Sequence, residues 1–393
     1  MVTEMNNNKY YEMEENTDGT FTARYGRVGK TCAIAHYDMS LWNKKYKEKI
    51  RKGYEDKTEL HLLADGEQKD DLAQYKKIEE KTVADLISRL NGWAKKVVEK
   101  NYKISASLVT PQMIKTARIA LQKVRDNTQS LRLFNNALLE LFMTLPREMG
   151  EVSYYLAKEK DDIAEIISRE TALLDIMEGQ ASIDKQEHKN DEIHKDETIL
   201  DYLGLEIKPA SENDINRIMR HLDSKTKAAF KQAWVVVNKK TQKAFDEFLR
   251  KNDNPKVGLL WHGSRNENWM SILGKGLVLN PNAVITGKMF GYGIYFALSA
   301  SKSYGYTSCR GSYWAKGKSS SGFMALYATV KDRPYDVYCH SSRYYRFNQE
   351  KLKKEAPEAL YLYAHKGKDL RNDEIIYYRE DMITIKYLVE FEN

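Results

Sequence analysis

Residues 259–277, LLWHGSRNENWMSILGKGL, and 287–306, GKMFGYGIYFALSASKSYGY, decide how the rest of the chain is read. The first begins as an apolar run, Gly258-Leu-Leu-Trp-His262, which predicts a buried strand ending at Gly263. A helix is expected next, because Ser264 can cap the amides of Asn266 and Glu267, and Trp269, Ile272 and Leu273 recur at helical spacing. The second predicts a short strand, Gly293-Ile-Tyr-Phe-Ala297, after a glycine-rich turn, and another capped helix start at Ser299. One histidine, its neighbouring glycine, several hydroxyls and a group of tyrosines thus gather at strand ends. That is the composition of a pocket for a flat ring with polar edges.

His262-Gly263-Ser264, Gly293-Ile294-Tyr295-Phe296-Ala297 and Ser301-Lys302-Ser303, in this order, resemble the catalytic domain of the poly(ADP-ribose) polymerases. The resemblance asks for a carboxylate opening a late strand, and Asn372-Asp373-Glu374-Ile375-Ile376-Tyr377-Tyr378 supplies one. It implies cleavage of the nicotinamide–ribose bond of NAD, with NAD as substrate and no metal, through a transition state like an oxocarbenium ion. By resemblance, Tyr295 and Tyr306 stack on nicotinamide, each stack contributing on the order of 1 kcal/mol. The Gly263 backbone and the Ser303 hydroxyl meet its carboxamide, and His262, with Ser264, holds the adenosine ribose. Glu374 stabilises the cationic sugar and takes the acceptor's proton. His262, Tyr295 and Glu374 are the catalytic candidates, with Lys302 a secondary one. Glu374 stands out on its own terms too, since a carboxylate opening an otherwise apolar run needs a reason.

Upstream, Lys9-Tyr-Tyr-Glu-Met and Thr20-Phe-Thr-Ala-Arg-Tyr predict strands joined by the turn Asn16-Thr-Asp-Gly19. From Arg24 to Tyr54 nine Lys/Arg stand against two acidic residues, interleaved with Tyr37, Trp42, Tyr46 and Tyr54, which suits phosphate binding. Tyr25-Gly26-Arg27 makes this block similar to a WGR domain, with Tyr25 where that family has its naming tryptophan. The resemblance implies DNA ends or nicks as a partner, met by Arg24, Tyr25, Arg27, Lys30, Lys44 and Lys45. Residues 64–81 predict a linker or frayed helix. From Thr82 to Gly179 helical periodicity dominates: Thr110 caps a helix with Pro111 at its first position, and apolar stripes follow at Phe134–Leu145 and at Ile163–Met177, the last closed by Gly179. This block is similar to the helical regulatory domain of the DNA-dependent polymerases. Residues 181–198 are almost all polar and predict a boundary loop; its His188 and His194 lack ordered ligand spacing. Beyond it, a Ser211–Asp214 capping box, strands around Val235–Val237, Gly322–Val330, Tyr335–Cys339 and Glu374–Tyr378, and the alternating Ile383–Phe391 predict helices packed with sheet.

The fold class expected is therefore multidomain α+β. Residues 1–75 form a small β-rich WGR-like domain, 82–180 an all-α helical bundle, and 196–393 a mixed-sheet ADP-ribosyltransferase catalytic domain. The net charge of +7 agrees with an anionic partner. Cys32, Cys309 and Cys339 form no CxxC, so neither a disulfide framework nor a zinc site is expected. No apolar run approaches a membrane span and Met1–Asn16 is unlike a signal peptide. The expectation is a soluble intracellular protein without membrane partners, nuclear in a eukaryote or cytoplasmic in a bacterium. The function expected is DNA-break-stimulated transfer of ADP-ribose to protein acceptors, including the enzyme itself, with elongation to polymer. Transfer of a single unit, or a DNA-end-binding scaffold with little activity, is the alternative.

Overall fold

The structure, a computed structural model, describes residues 9–27, 32–54, 56, 72, 75–106, 109–145, 147–184, 196–279, 289–309 and 319–392. The chain divides into two compact units: Met1–Lys69 with Lys96–Lys185, and Asp70–Lys95 with Gln186–Asn393.

In the first unit β1 (Lys9–Glu15), β2 (Thr20–Arg27) and β3 (Ala33–Asp38) form an antiparallel sheet in that order. The predicted turn closes β1 on β2, with Gly19 at φ +79°, where a side chain would be strained. Phe21 is fully buried and packs on Tyr37 and on Trp42, which opens α1 (Trp42–Arg51). The helical part comprises the end of α2 (Lys81–Asn101), α3 (Pro111–Asp126), α4 (Leu131–Thr144) and α5 (Lys160–Asp184). Thr110 caps α3 as its sequence predicts, with Pro111 in the first turn. Gly179 does not close α5, which runs on to Asp184. Gln180, Ala181 and Ile183 are buried, so the packed stripe continues and outweighs a glycine penalty of about 1 kcal/mol. Between the helices Arg147 and Glu170 form an ion pair at 2.6 Å with side chains 4% and 1% exposed.

The second unit holds the pocket stretch. Its strands are β4 (Leu205–Pro209), β5 (Phe230–Asn238), β6 (Val257–Ser264), β7 (Ile294–Phe296) and β8 (Ser321–Val330). These are followed by β9 (Pro334–Val337), β10 (Tyr361–Ala364), β11 (Glu374–Tyr377) and β12 (Ile383–Glu392). Its helices are α6 (Ile199–Tyr202), α7 (Glu212–Met219), α8 (Ser224–Ala229), α9 (Lys239–Lys251), α10 (Trp269–Lys275), α11 (Ala300–Tyr304) and α12 (Gln349–Glu355). The Ser211–Asp214 capping box opens α7 as read. One sheet is antiparallel in the order β4-β5-β12-β8-β6; the other, β7-β11-β10-β9, contains one parallel pair, β10 with β9. The two sheets meet where Trp261 of β6 and Ala297, just after β7, exchange backbone hydrogen bonds of 2.9 Å.

Several local expectations are corrected. The alternating strand β12 lies in the sheet centre and is buried on both sides, with Thr384 and Glu390 as fully enclosed as Leu388. Glu390 is satisfied by Arg89 at 2.6 and 2.9 Å, Gln232 at 2.6 Å and Ser321 at 2.5 Å. Arg89 sits on the part of α2 that belongs to this unit, where Trp93 also meets Phe323 edge-on. Residues 64–71 lie outside the described residues, but the end of the expected linker is packed: Tyr75 is buried against Tyr202, and Lys76 pairs in parallel with Thr198. Ala181–Asp184 is helix and not loop, while His188 and His194 lie outside the described residues.

Candidate active site

Strands carry His262, Gly263, Ser264, Tyr295 and Glu374, and a helix carries Lys302 and Ser303. His262 is near the end of β6, and its Nδ1–H donates to the Tyr295 carbonyl at 3.0 Å, which fixes the ring plane. Phe296 and Tyr327 meet the same ring edge-on at 5.7 and 6.2 Å. Tyr295 lies in β7, opposite Ile376 of β11. Its hydroxyl donates to the Gly291 carbonyl at 3.1 Å and accepts from the Phe290 amide at 2.9 Å, so the turn before β7 pins the ring. Burial, against the pull of that amide, pushes its phenol well above the ordinary value.

Gly263 is glycine for a steric reason. A Cβ there would stand 2.0 Å from the Ser303 carbonyl oxygen, so β6 and α11 can approach this closely only without a side chain. Because Trp261 bonds Ala297 through both its N–H and its C=O, strand alternation turns the Gly263 N–H and C=O to the same side, away from β8. A donor and an acceptor at fixed spacing therefore face the β7 side, as a carboxamide requires.

Ser264 does not cap the following turn. Arg265 takes the N-cap position of the 3-10 turn Asn266–Asn268 without a side-chain bond, while the Ser264 hydroxyl accepts from Asn268 Nδ2 at 3.0 Å. The Ser299 side chain likewise caps nothing. Its role falls to Asp223, which sequence reasoning missed. One Asp223 oxygen accepts from the Ser301 amide at 3.0 Å and hydroxyl at 2.6 Å, and the other from the Thr226 amide at 3.0 Å, so one carboxylate caps both α11 and α8. Burial raises the Asp223 carboxyl, but these donors outweigh it and the net direction is down. The only signal in sequence is the cap pattern Leu222-Asp-Ser-Lys, which predicts the bond to Thr226 but not the one to Ser301, far along the chain.

Helix α11 carries Lys302 and Ser303. Ser303 is buried, and its hydroxyl donates to the Trp261 carbonyl at 3.2 Å. Tyr306 follows the helix and is 57% exposed; burial, and then the Glu374 charge, raise its phenol. Glu374 opens β11. Its Oε1 accepts from Lys302 Nζ at 2.6 Å, both side chains being almost enclosed, and Lys302 also reaches the Asp373 carbonyl at 3.2 Å. Its Oε2 is buried and has no hydrogen-bond partner in the structure. An unpaired buried carboxylate oxygen costs about 1–3 kcal/mol, recoverable by a ligand hydroxyl. This oxygen and the Gly263 edge are what an NAD nicotinamide riboside would need from the chain. Among the described residues no group of three His, Cys, Asp or Glu side chains could hold a metal ion.

The nucleic-acid candidates lie in the first unit. Tyr25 is 36% exposed and stacks on Tyr11 at 5.4 Å. Lys49 Nζ stands 4.0 Å over the Tyr11 ring and Lys45 Nζ 4.5 Å over Tyr37, while Lys44 is exposed on α1. Arg24 spends its guanidinium on Glu14 across the β1–β2 pair. The Arg27 side chain and Lys30 lie outside the described residues.

Residues 212–329 match the family model of the poly(ADP-ribose) polymerase catalytic domain. That span holds His262 through Tyr306 and ends before Glu374. Uncharacterized protein 101L of Invertebrate iridescent virus 6 is 28% identical over 46% of this chain and 75% of its own. A second protein of that virus, the putative poly(ADP-ribose) polymerase-like 100L, is 28% identical over 47% of this chain and 96% of its own. Poly(ADP-ribose) polymerase 2 of Homo sapiens is 26% identical over 77% of this chain, which spans 60% of that protein's length. The strands β6 and β7, the helix α11 and Tyr306 thus lie in a span similar to the poly(ADP-ribose) polymerase catalytic domain, and the similarities make the chain an NAD ADP-ribosyltransferase.

Proposed function

We propose that the chain transfers ADP-ribose from NAD to protein acceptors, itself included, releases nicotinamide, extends the product to poly(ADP-ribose), and is stimulated by DNA ends or nicks. The single observation that supports transfer most is Glu374. One oxygen is held by Lys302 and the other is buried without a partner, at a strand start beside Tyr295. In the step proposed, an acceptor oxygen attacks C1 of the nicotinamide ribose and the glycosidic C–N bond breaks. Its electron pair leaves with nicotinamide, and the acceptor's proton passes to Glu374. Gly263 orients the carboxamide through its backbone, Ser303 through its hydroxyl if that leaves Trp261, Tyr295 and Tyr306 flank the ring, and His262 with Ser264 holds the adenosine ribose.

For the DNA arm the support is the stacked tyrosines of β1, β2 and β3 with the lysines of α1 over them, which suits phosphates and end bases. Arg24, Tyr25, Arg27, Lys30, Lys44 and Lys45 are its proposed contacts. Residues 1–75 would serve as the WGR-like DNA-binding part, 82–180 as the regulatory helices and 196–393 as the catalytic part. The names of the human and plant relatives matched, poly(ADP-ribose) polymerase 2, speak for elongation. The stretch between Val330 and Asn372, shorter than the resemblance implies for a polymerase, favours the alternative, a single transfer.

Incubation with labelled NAD, with and without nicked DNA, followed by gel analysis tests both parts. A DNA-dependent ladder is expected. A discrete band in place of the ladder would select single transfer, and an unlabelled protein in both lanes would overturn the reading.

A further inference from the structure

Two elements of the site, β6 and α11, are tied to the same three residues upstream of both. His221, Leu222 and Asp223 join α7 to α8. The His221 carbonyl accepts from the Trp261 indole N–H of β6 at 2.9 Å. Two residues on, one Asp223 oxygen accepts from the Ser301 amide of α11 at 3.0 Å and from its hydroxyl at 2.6 Å. Leu222, between them, is buried in the apolar cluster that also holds Trp261, Ala300 and Tyr304. The linking segment is itself braced. The His221 amide donates to the Ile218 carbonyl at 2.9 Å, and the second Asp223 oxygen accepts from the Thr226 amide at 3.0 Å and hydroxyl at 3.1 Å.

The site depends on the spacing of β6 and α11. Strand β6 offers the Gly263 backbone edge, while α11 offers the Ser303 hydroxyl and the Lys302 ammonium that holds Glu374 at 2.6 Å. A misplacement of about 1 Å can cost on the order of a hundredfold in rate. Within the site the two elements meet where the Ser303 hydroxyl donates to the Trp261 carbonyl at 3.2 Å, the bond that a bound carboxamide would take over. Their spacing with ligand in place must therefore be set elsewhere. Helix α11 is five residues long, and Ser299 at its N-cap makes no side-chain bond. Its C-terminal end is anchored by the buried Tyr304, whose hydroxyl donates to the Glu392 carbonyl at 3.3 Å. Its N-terminal end rests on the Asp223 carboxylate, a charged acceptor and so the stronger kind of hydrogen bond.

We propose that Asp223 is a positioning residue for the transfer. Through Ser301 it sets the place of α11, and because His221 holds Trp261 from two residues away, β6 and α11 are referred to one common point. Asp223 thereby keeps the Ser303 hydroxyl against the Gly263 edge and Lys302 against Glu374, while touching neither NAD nor the acceptor. The proposal rests on the reading above, in which Gly263 and Ser303 hold the carboxamide.

The test is Asp223→Ser in the full chain. Serine is a good N-cap, so α8 keeps its start, but the side chain is too short to reach Ser301 as well. Benzamide should bind about tenfold more weakly and the kcat of nicotinamide release should fall about tenfold or more. ADP-ribose lacks the nicotinamide ring and is held in that reading by His262, which is fixed by the Tyr295 carbonyl and not by α11, so its affinity should match the parent's. Parent-like benzamide binding and release in Asp223→Ser would overturn the positioning role alone. Parallel losses of benzamide binding, ADP-ribose binding and thermal stability would overturn it too, leaving Asp223 a plain structural cap. Should Asp223→Ser not fold, Ser301→Ala decides, since it removes the hydroxyl bond and keeps the amide bond. Benzamide binding weaker by about threefold supports the role, and unchanged binding rejects it. A parent chain that neither binds benzamide nor releases nicotinamide would sink the pocket reading, and this proposal with it.

Discussion

Glu374 presents its two oxygens to different neighbours, and this asymmetry sets what a substitution should do. Oε1 anchors the side chain on Lys302, leaving Oε2 as the atom for chemistry. Glu374→Gln keeps the size and a hydrogen bond but cannot accept a proton. ADP-ribose transfer is expected to fall by roughly 10²–10⁴ with NAD affinity nearly intact. Normal polymer from this variant would remove Glu374 from the mechanism. Tyr306 is the more exposed of the two candidate stacking rings, so Tyr306→Ala should cost ring binding and little stability. Calorimetry with a benzamide-type ring should show affinity lower by about 1 kcal/mol, and unchanged affinity would exclude Tyr306 from the pocket. His262 and Tyr295 are singled out in the sequence by the resemblance of the blocks that carry them, and Glu374 also as a carboxylate opening an apolar run. The Trp261 partner of Ser303 and the double bond of Asp223 to α11 could not, because a hydroxyl or carboxylate chooses its partner only once distant segments cross.

At the level of elements, most strands and helices follow from periodicity, β3, β4 and β10 do not, and two of the departures share one cause. Alternation in β12 reports which residues are polar, not which face is wet. Glu390 points into a closed interior because Arg89, Gln232 and Ser321 are there to receive it. Gly179 fails as a stop for the same reason: buried neighbours carry α5 past it. Burial raises the Glu390 carboxyl, but its hydrogen-bond donors, Arg89 foremost, overcome this and hold it at about 2. A folded-state value below the unfolded one stabilises above the unfolded carboxylate range and is lost as pH falls towards the folded value. The contribution is about 3 kcal/mol at neutral pH and should disappear between about pH 5 and pH 2. Denaturant titrations at pH 7 and pH 3 should therefore show a larger loss of stability in the parent than in Glu390→Gln. Equal losses would show that Glu390 is not a source of acid sensitivity.

For the whole molecule, three blocks are visible in the sequence but two compact units in the structure: the N-terminal block and most of the helical block form one, and the first part of α2 goes with the catalytic sheets in the other. No local pattern in α2 could reveal that, since Arg89 finds its partner 301 residues away. If the tyrosine face of the first unit binds DNA ends through phosphates, log affinity should fall linearly with log salt, by about one unit of slope per phosphate contact. Charge reversal at Lys44 and Lys45 should flatten that line. A flat line for the unaltered chain, measured by fluorescence anisotropy on a labelled nicked duplex, would deny the unit its proposed role.

The order of strands in the larger sheet has a consequence for biosynthesis. β12 is later in sequence than every strand it touches, yet it sits between β5 and β8. Until the ribosome has released residues near 392, β5 and β8 have no shared neighbour and their inner edges stay open. A sheet of this topology waits for its closing strand and carries unpaired edges in the meantime, the condition in which chaperones are most needed.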